Sequence, residues 1–143
     1  MTSRDQNTSN GALPSIVNPP HLHDPTLNGY STAVVSPAAG RLAFISRQGG
    51  QDKNGYLSPE FGNQVEQAYS NLAAVLDALG ALPKQIVKLT VFVVDHDMSK
   101  LGVPTENLKR MFGETLPAQT LIPVPKLAID PMLFEVEAVL LLD

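Results

Sequence analysis

Between residues 61 and 80, apolar side chains return every three or four positions, at Val65, Ala68, Tyr69, Leu72, Leu76 and Leu79, with polar residues between them. This spacing predicts one amphipathic helix of about five turns, its apolar stripe turned inward. Ser58 is placed to cap its start, Pro59 to open it where a missing N–H costs nothing, and Gly80 to stop it. A shorter stretch, PTENLKRMF at 104–112 with Gly113 beyond it, predicts a second helix.

Elsewhere the pattern is that of strands. YSTAVV (30–35), RLAFIS (41–46), QIVKLTVFVVD (85–95), QTLIPV (119–124) and LFEVEAVLLL (133–142) are rich in β-branched and apolar residues. The first two, separated by SPAAG, predict a hairpin. VNPPHLHDP (17–25) reads as irregular and RQGGQDKNGYL (47–57) as a loop with glycine turns. The order β-β-α-β-α-β-β is an α+β pattern. Residues 1–15 are expected to form a disordered tail, and 16–143 a single domain.

The strand faces add a requirement. In the last strand, Phe134, Val136, Ala138, Leu140 and Leu142 share one face; Leu133, Glu135, Glu137, Val139 and Leu141 share the other. In 86–94, Phe92 and Val94 oppose Leu89, Val91 and Val93. Both faces of the sheet are therefore substantially apolar, and two helices can cover only one. Leaving several Val and Leu in water forfeits ~1.5–3 kcal/mol each, so the second face is expected to meet another copy of the chain.

Composition narrows the class. At 143 residues the chain fits one domain. It has no cysteine, which excludes disulfides, thiol nucleophiles and Cys-ligated zinc. A net charge of −4 with no Lys/Arg cluster excludes nucleic acid as an expected partner. No apolar run approaches the ~20 residues of a membrane span. The polar start MTSRDQNTSNG lacks the apolar core of a secretory signal, so a cytoplasmic location is expected.

Glu135 and Glu137 are the ionisable groups of an otherwise apolar strand, two apart and so on one face, about 6–7 Å from each other. A carboxylate set among Leu and Val can serve as acid or base, whereas an ordinary strand glutamate pairs with a cation or points to water. His21, His23 and His96 have no third partner at ligand spacing and read as surface residues, so no metal is expected. Ser46 sits in no G-x-S-x-G context, and QGG (48–50) is too short to cradle a phosphate. Tyr30 suits either a core or the tip of a cleft.

Four segments together resemble the RidA family, also called YjgF or endoribonuclease L-PSP proteins. They are FISRQGG (44–50), NQVEQAYSNLAAVLDALGA (63–81), IVKLTVFVVD (86–95) and LPAQTLIPVPKL…FEVEAVL. The resemblance implies an α+β fold: a mixed β-sheet with two helices packed on one face, assembled as a chorismate-mutase-like homotrimer. It also implies small-molecule clefts between subunits, where the deaminase branch hydrolyses enamines and imines, with no cofactor. Carried over by position, the family's tyrosine falls on Tyr30, its serine on Ser46, its glutamate on Glu135 and its asparagine on Thr105. Arg47 stands where the family has glycine, and Leu121 where it often has cysteine. The arginine that grips the substrate carboxylate falls on Gln119, next to Thr120. Glutamine carries no charge and cannot reproduce a bidentate arginine–carboxylate pair.

Three readings are open. The first is a hydrolase acting on a C–N bond of altered specificity, with Glu135 directing water and Tyr30, Gln119 and Thr120 binding the ligand. The second is a non-catalytic ligand-binding or chaperone-like trimer. The third is an ordinary enamine/imine deaminase in which Arg47, or Lys126, replaces the missing cation. Strand alternation directs Arg47 away from the side of Ser46, which weighs against the third.

Overall fold

Five of the six stripe residues of the long helix are buried: Val65, Ala68, Tyr69, Leu72 and Leu76. The computed structural model describes residues 13–37 and 40–143, and places this helix, α1, at Phe61–Leu79. Leu79 departs from expectation and is 40% exposed, because the helix ends there, beyond the sheet it covers. The start also differs. Ser58 Oγ accepts from the Glu60 N–H at 3.2 Å, so its capping bond serves the turn ahead of the helix and Glu60 becomes the extended residue before it. The stop is as expected. Gly80 takes a left-handed φ of 65°, its N–H donates to Asp77 O, and the Ala81 N–H reaches back to Leu76 O at 2.9 Å.

The remaining elements are β1 (Ser15–Val17), β2 (Ala33–Val35), β3 (Arg41–Gly49), β4 (Ile86–Val94), α2 (Gly102–Phe112), β5 (Ala118–Val124) and β6 (Phe134–Leu142). The main sheet has the order β3-β6-β4-β5. β4 and β5 run parallel, joined across α2, and the other pairs are antiparallel, so the sheet is mixed. The fold is α+β, with α1 and α2 on one face. There Phe134, Val136, Ala138 and Leu140 of β6 meet Leu89, Val91 and Val93 of β4 and the stripe of α1. The Phe134 ring is central. It lies 5.9 Å from the Tyr69 ring and edge-on to Phe61 at 6.1 Å.

The expected hairpin of 30–35 with 41–46 does not form. β2 pairs with β1 in a separate two-stranded sheet, while β3 pairs with β6. The reason is Ser31, which is buried. Its N–H donates to Pro117 O at 2.8 Å and its Oγ donates to Leu116 O, tying the approach to β2 alongside β5 instead of β3. β1 begins at Ser15, the last residue of the expected tail, and residues 1–12 of that tail lie outside the described residues.

The opposite, outer face is finished unevenly. Phe92 and Val94 are covered by Leu127 and Met132, with Leu57, Val124 and Leu133 against them. The chain thus covers one end of this face itself, although no helix or strand of the sequence pattern was available for the purpose. Toward the other end Leu42 is exposed, and Phe44 is 74% exposed.

Candidate functional site

Two groups of residues gather the candidates, one on each side of the sheet. The first is a pocket of about 440 Å³ at the β5 edge on the helix side, lined by Tyr30, Val91, Met98, Leu101, Gln119 and Leu121. Its upper wall begins with a turn at Pro25–Asn28, capped by Asp24, whose carboxylate accepts from the Thr26 N–H at 3.0 Å. Those bonds to Thr26 hold the Asp24 carboxyl below its usual value. Gly29 follows with φ of 83°, and a side chain there would come within 3.0 Å of Leu108 and 3.2 Å of Thr105. The glycine therefore lets the turn lie directly on α2, with Thr105 Oγ1 donating to Asn28 O at 3.4 Å. This places Tyr30 at the pocket.

The far wall is β5. Its register sets Gln119 beside Leu89 and Leu121 beside Val91, on the helix side. Thr120 alternates to the outer face, where Lys88 Nζ donates to its Oγ1 at 2.7 Å. Tyr30, Thr105, Gln119 and Leu121 are thus brought together, and Thr120 is not among them.

The second group lies on the outer face of β3, β6 and β4. Ile45 pairs with Ala138 and Gln48 with Val136, so Ser46 and Arg47 together oppose the single residue Glu137. This bulge corrects the expected direction of Arg47. Its side chain turns onto the outer face, with the guanidinium 3.8 Å from the Phe92 ring centroid. Its Nε lies 3.3 Å from Glu137 Oε1, and its Nη1 4.0 Å from Glu135 Oε1. Ser46 is exposed beside it, and its carbonyl accepts from Gln48 Nε2 at 3.0 Å.

Glu135 pairs with Gly49 on one side and Phe92 on the other, and its side chain is only 13% exposed. Burial pushes its carboxyl above the usual value; Arg47 opposes that shift and Glu137 adds to it. A carboxyl so placed can take up and return a proton at higher pH than an exposed one.

Gln64 and Asn71, which sequence reasoning passed over, hold this group in place. Gln64 is fully buried. Its Nε2 donates to Ser58 O at 2.8 Å and Pro131 O at 3.0 Å, and its Oε1 accepts from the Leu133 N–H at 2.7 Å. Asn71 Nδ2 donates to Gly49 O at 2.9 Å and Gln51 O at 2.8 Å. The signal was a glutamine one turn ahead of Ala68 on the apolar stripe. The glycines of QGG serve packing: a side chain at Gly50 would meet the Gln64 backbone at 2.7 Å. Lys126 pairs with Asp130 at 3.5 Å in solvent, outside both groups. His21 and His23 are exposed, and among the described residues no three His, Asp or Glu converge as a metal site.

Within one chain the two groups do not meet. Gln119 shares the helix side with Leu89, while Glu135 shares the outer side with Phe92.

Comparison with known proteins supplies the family. The model for Endoribonuclease L-PSP matches residues 22–141. RutC family protein UK114 of Drosophila melanogaster is 33% identical over 114 residues, 78% of each chain. The 2-iminobutanoate/2-iminopropanoate deaminase of Salmonella typhimurium is 31% identical over 88 residues, 61% of this chain and 68% of that one. Among solved structures, the Rid family protein YyfB of Yersinia pestis, itself described as of unknown function, superposes with a TM-score of 0.85 at 30% identity, covering 90% of this chain and 98% of that one. With the mixed sheet, the two helices on one face and a matched span running through every strand of that sheet, the chain belongs to the endoribonuclease L-PSP family, the RidA or YjgF proteins.

Proposed function

We propose that three copies of the chain assemble into a homotrimer with their outer faces inward, and that each seam joins the Gln119 pocket at the β5 edge of one copy to the Arg47–Glu135 group on the outer face of the next. The resulting cleft binds a small molecule and hydrolyses an imine, an enamine or a related C–N compound. One observation carries this reading: the candidate residues fall into two incomplete sets on opposite sides of one sheet, beside an outer face where Phe44 is 74% exposed. A second copy is the economical way to complete both.

Glu135, partly buried and raised in pKa, would direct a water onto the C–N carbon. Tyr30 and Gln119 would hold the ligand. The deaminase name carried by the Salmonella relative supports C–N hydrolysis as the reaction type. It does not extend to the same substrate, because Gln119 carries no charge to hold a 2-imino acid carboxylate. Losing a charged partner costs about 2–5 kcal/mol, which is about thirty-fold to several-thousand-fold in affinity. Arg47, already engaged by Glu135 and Glu137, is poorly free to take that place.

Two measurements test the proposal. Light scattering should give three times the chain mass at micromolar concentration; the mass of one chain overturns the assembly. Ammonia release from freshly generated imines and enamines should fall by about 10²–10⁴ in Glu135→Gln, with the oligomeric mass unchanged. Undiminished turnover in that variant removes Glu135 from the mechanism.

A further inference from the structure

We infer that the Gln119 pocket selects an uncharged ligand, one carrying a carboxamide or similar donor–acceptor group on an apolar body, and discriminates against the matching carboxylate. This rests on the proposed reading of the pocket as a ligand site and names the class of ligand it takes.

The lining carries the argument. None of the pocket's residues is an Asp, Glu, Lys, Arg or His. Val91, Met98, Leu101, Pro104 and Leu121 form the apolar part of the walls, and Thr105 Oγ1 is already engaged with Asn28 O. Gln119, Tyr30 and Asn28 are then the polar side chains placed to orient a ligand. A glutamine presents a carbonyl acceptor and an NH₂ donor side by side. A carboxylate offers acceptors only. It would leave the glutamine carbonyl unpaired and bring an unneutralised charge against apolar walls, which is costly. A carboxamide satisfies both halves of the glutamine and brings no charge.

Among the described residues, the lysines around the pocket are engaged elsewhere. Lys100 donates to the Val94 and Asp95 carbonyls, Lys109 to Leu27 O, and Lys88 to Thr120 on the outer face. If the seam forms, the group it adds holds one cation, Arg47, against two carboxylates, Glu135 and Glu137. Both sides of the cleft then disfavour an anion.

The test is calorimetric titration of the full chain with 4-methylpentanamide and 4-methylpentanoate, which share one carbon skeleton. The amide should bind on the order of tenfold tighter or more. Gln119→Arg should reverse the order, and Gln119→Leu should weaken amide binding without gaining affinity for the acid. A wild-type preference for the carboxylate overturns the inference, as does an unchanged order in Gln119→Arg. Absence of binding by either probe at millimolar concentration overturns it too. Light scattering of the same samples separates the two proposals. A single-chain mass removes the seam while the amide preference is still read out; a carboxylate preference in a trimer removes this inference and leaves the seam standing.

Discussion

β6 presents the same alternation to both of its sides, yet the two sides end in different states. Toward the helices, Phe134, Val136, Ala138 and Leu140 are each 3% exposed or less. Toward the outer side, Glu135, Glu137 and Val139 remain partly exposed, and the neighbouring Phe44 of β3 is open to water. The helices cover their side along its length. On the outer side Leu57 and the 125–133 segment cover the end where Phe92 and Val94 are buried, and at the other end Leu141 is buried while Leu42 and Phe44 of β3 are exposed. Alternation in a strand thus states that a face needs covering. The cover itself is decided by long-range packing or by a second molecule.

Two phenylalanines break this comparison most sharply. Phe134→Ala removes the ring on which Tyr69 and Phe61 pack, and should cost about 3–5 kcal/mol in urea denaturation. Phe44→Ala should leave the stability of an isolated chain within about 0.5 kcal/mol, since an exposed ring loses little when truncated. Its expected effect is on mass, with dissociation of the proposed trimer detected by light scattering. Equal destabilisation by the two substitutions in a single-chain protein would erase the distinction between the faces.

Legibility in the sequence divides along the same line. The helix-side core was readable because Val65, Ala68, Tyr69, Leu72 and Leu76 obey one local period, and β4 and β6 obey another. The pairing of β2 was not, because it turns on Ser31 meeting Leu116, 85 residues away. The side taken by Arg47 was not either. A bulge adds one residue to β3, and a single added residue reverses the face of every residue beyond it. In the candidate site, Tyr30, Thr105, Gln119 and Leu121 were found through family resemblance and do gather in one pocket. The exclusion of Thr120 needed only the two-residue alternation of β5.

Gln64 marks where the covered and uncovered regions join. One side chain ties α1 to Pro131 and Leu133, at the base of the segment that covers Phe92. Gln64→Leu keeps the volume but leaves the Leu133 N–H and the Ser58 and Pro131 carbonyls without this partner, a loss of about 1–3 kcal/mol. Hydrogen exchange should quicken at the Leu133 amide while the Leu72 amide of α1 stays protected. Equal quickening at both would mean that the amide supports the whole fold and not the outer cover alone.

Arg47→Ala is the smallest change and probes the outer face through pH. Removing an exposed stack and two ion pairs should cost about 1 kcal/mol or less at neutral pH. The more telling effect is on Glu135, whose carboxyl is raised by burial above its ordinary 4.5, against the pull of Arg47. Between that ordinary value and the raised one, the folded chain holds more protons than the unfolded chain, so stability falls as pH rises through the window. Without Arg47 the carboxyl rises further and the window extends upward. The drop in urea midpoint from about pH 4.5 to about pH 7 should therefore be larger in Arg47→Ala than in the wild type. Adding Glu135→Gln should remove the excess, since the side chain that takes up the proton is gone. If the excess persists in the double variant, Glu137 or another carboxylate is responsible, and Arg47 does not act on stability through Glu135.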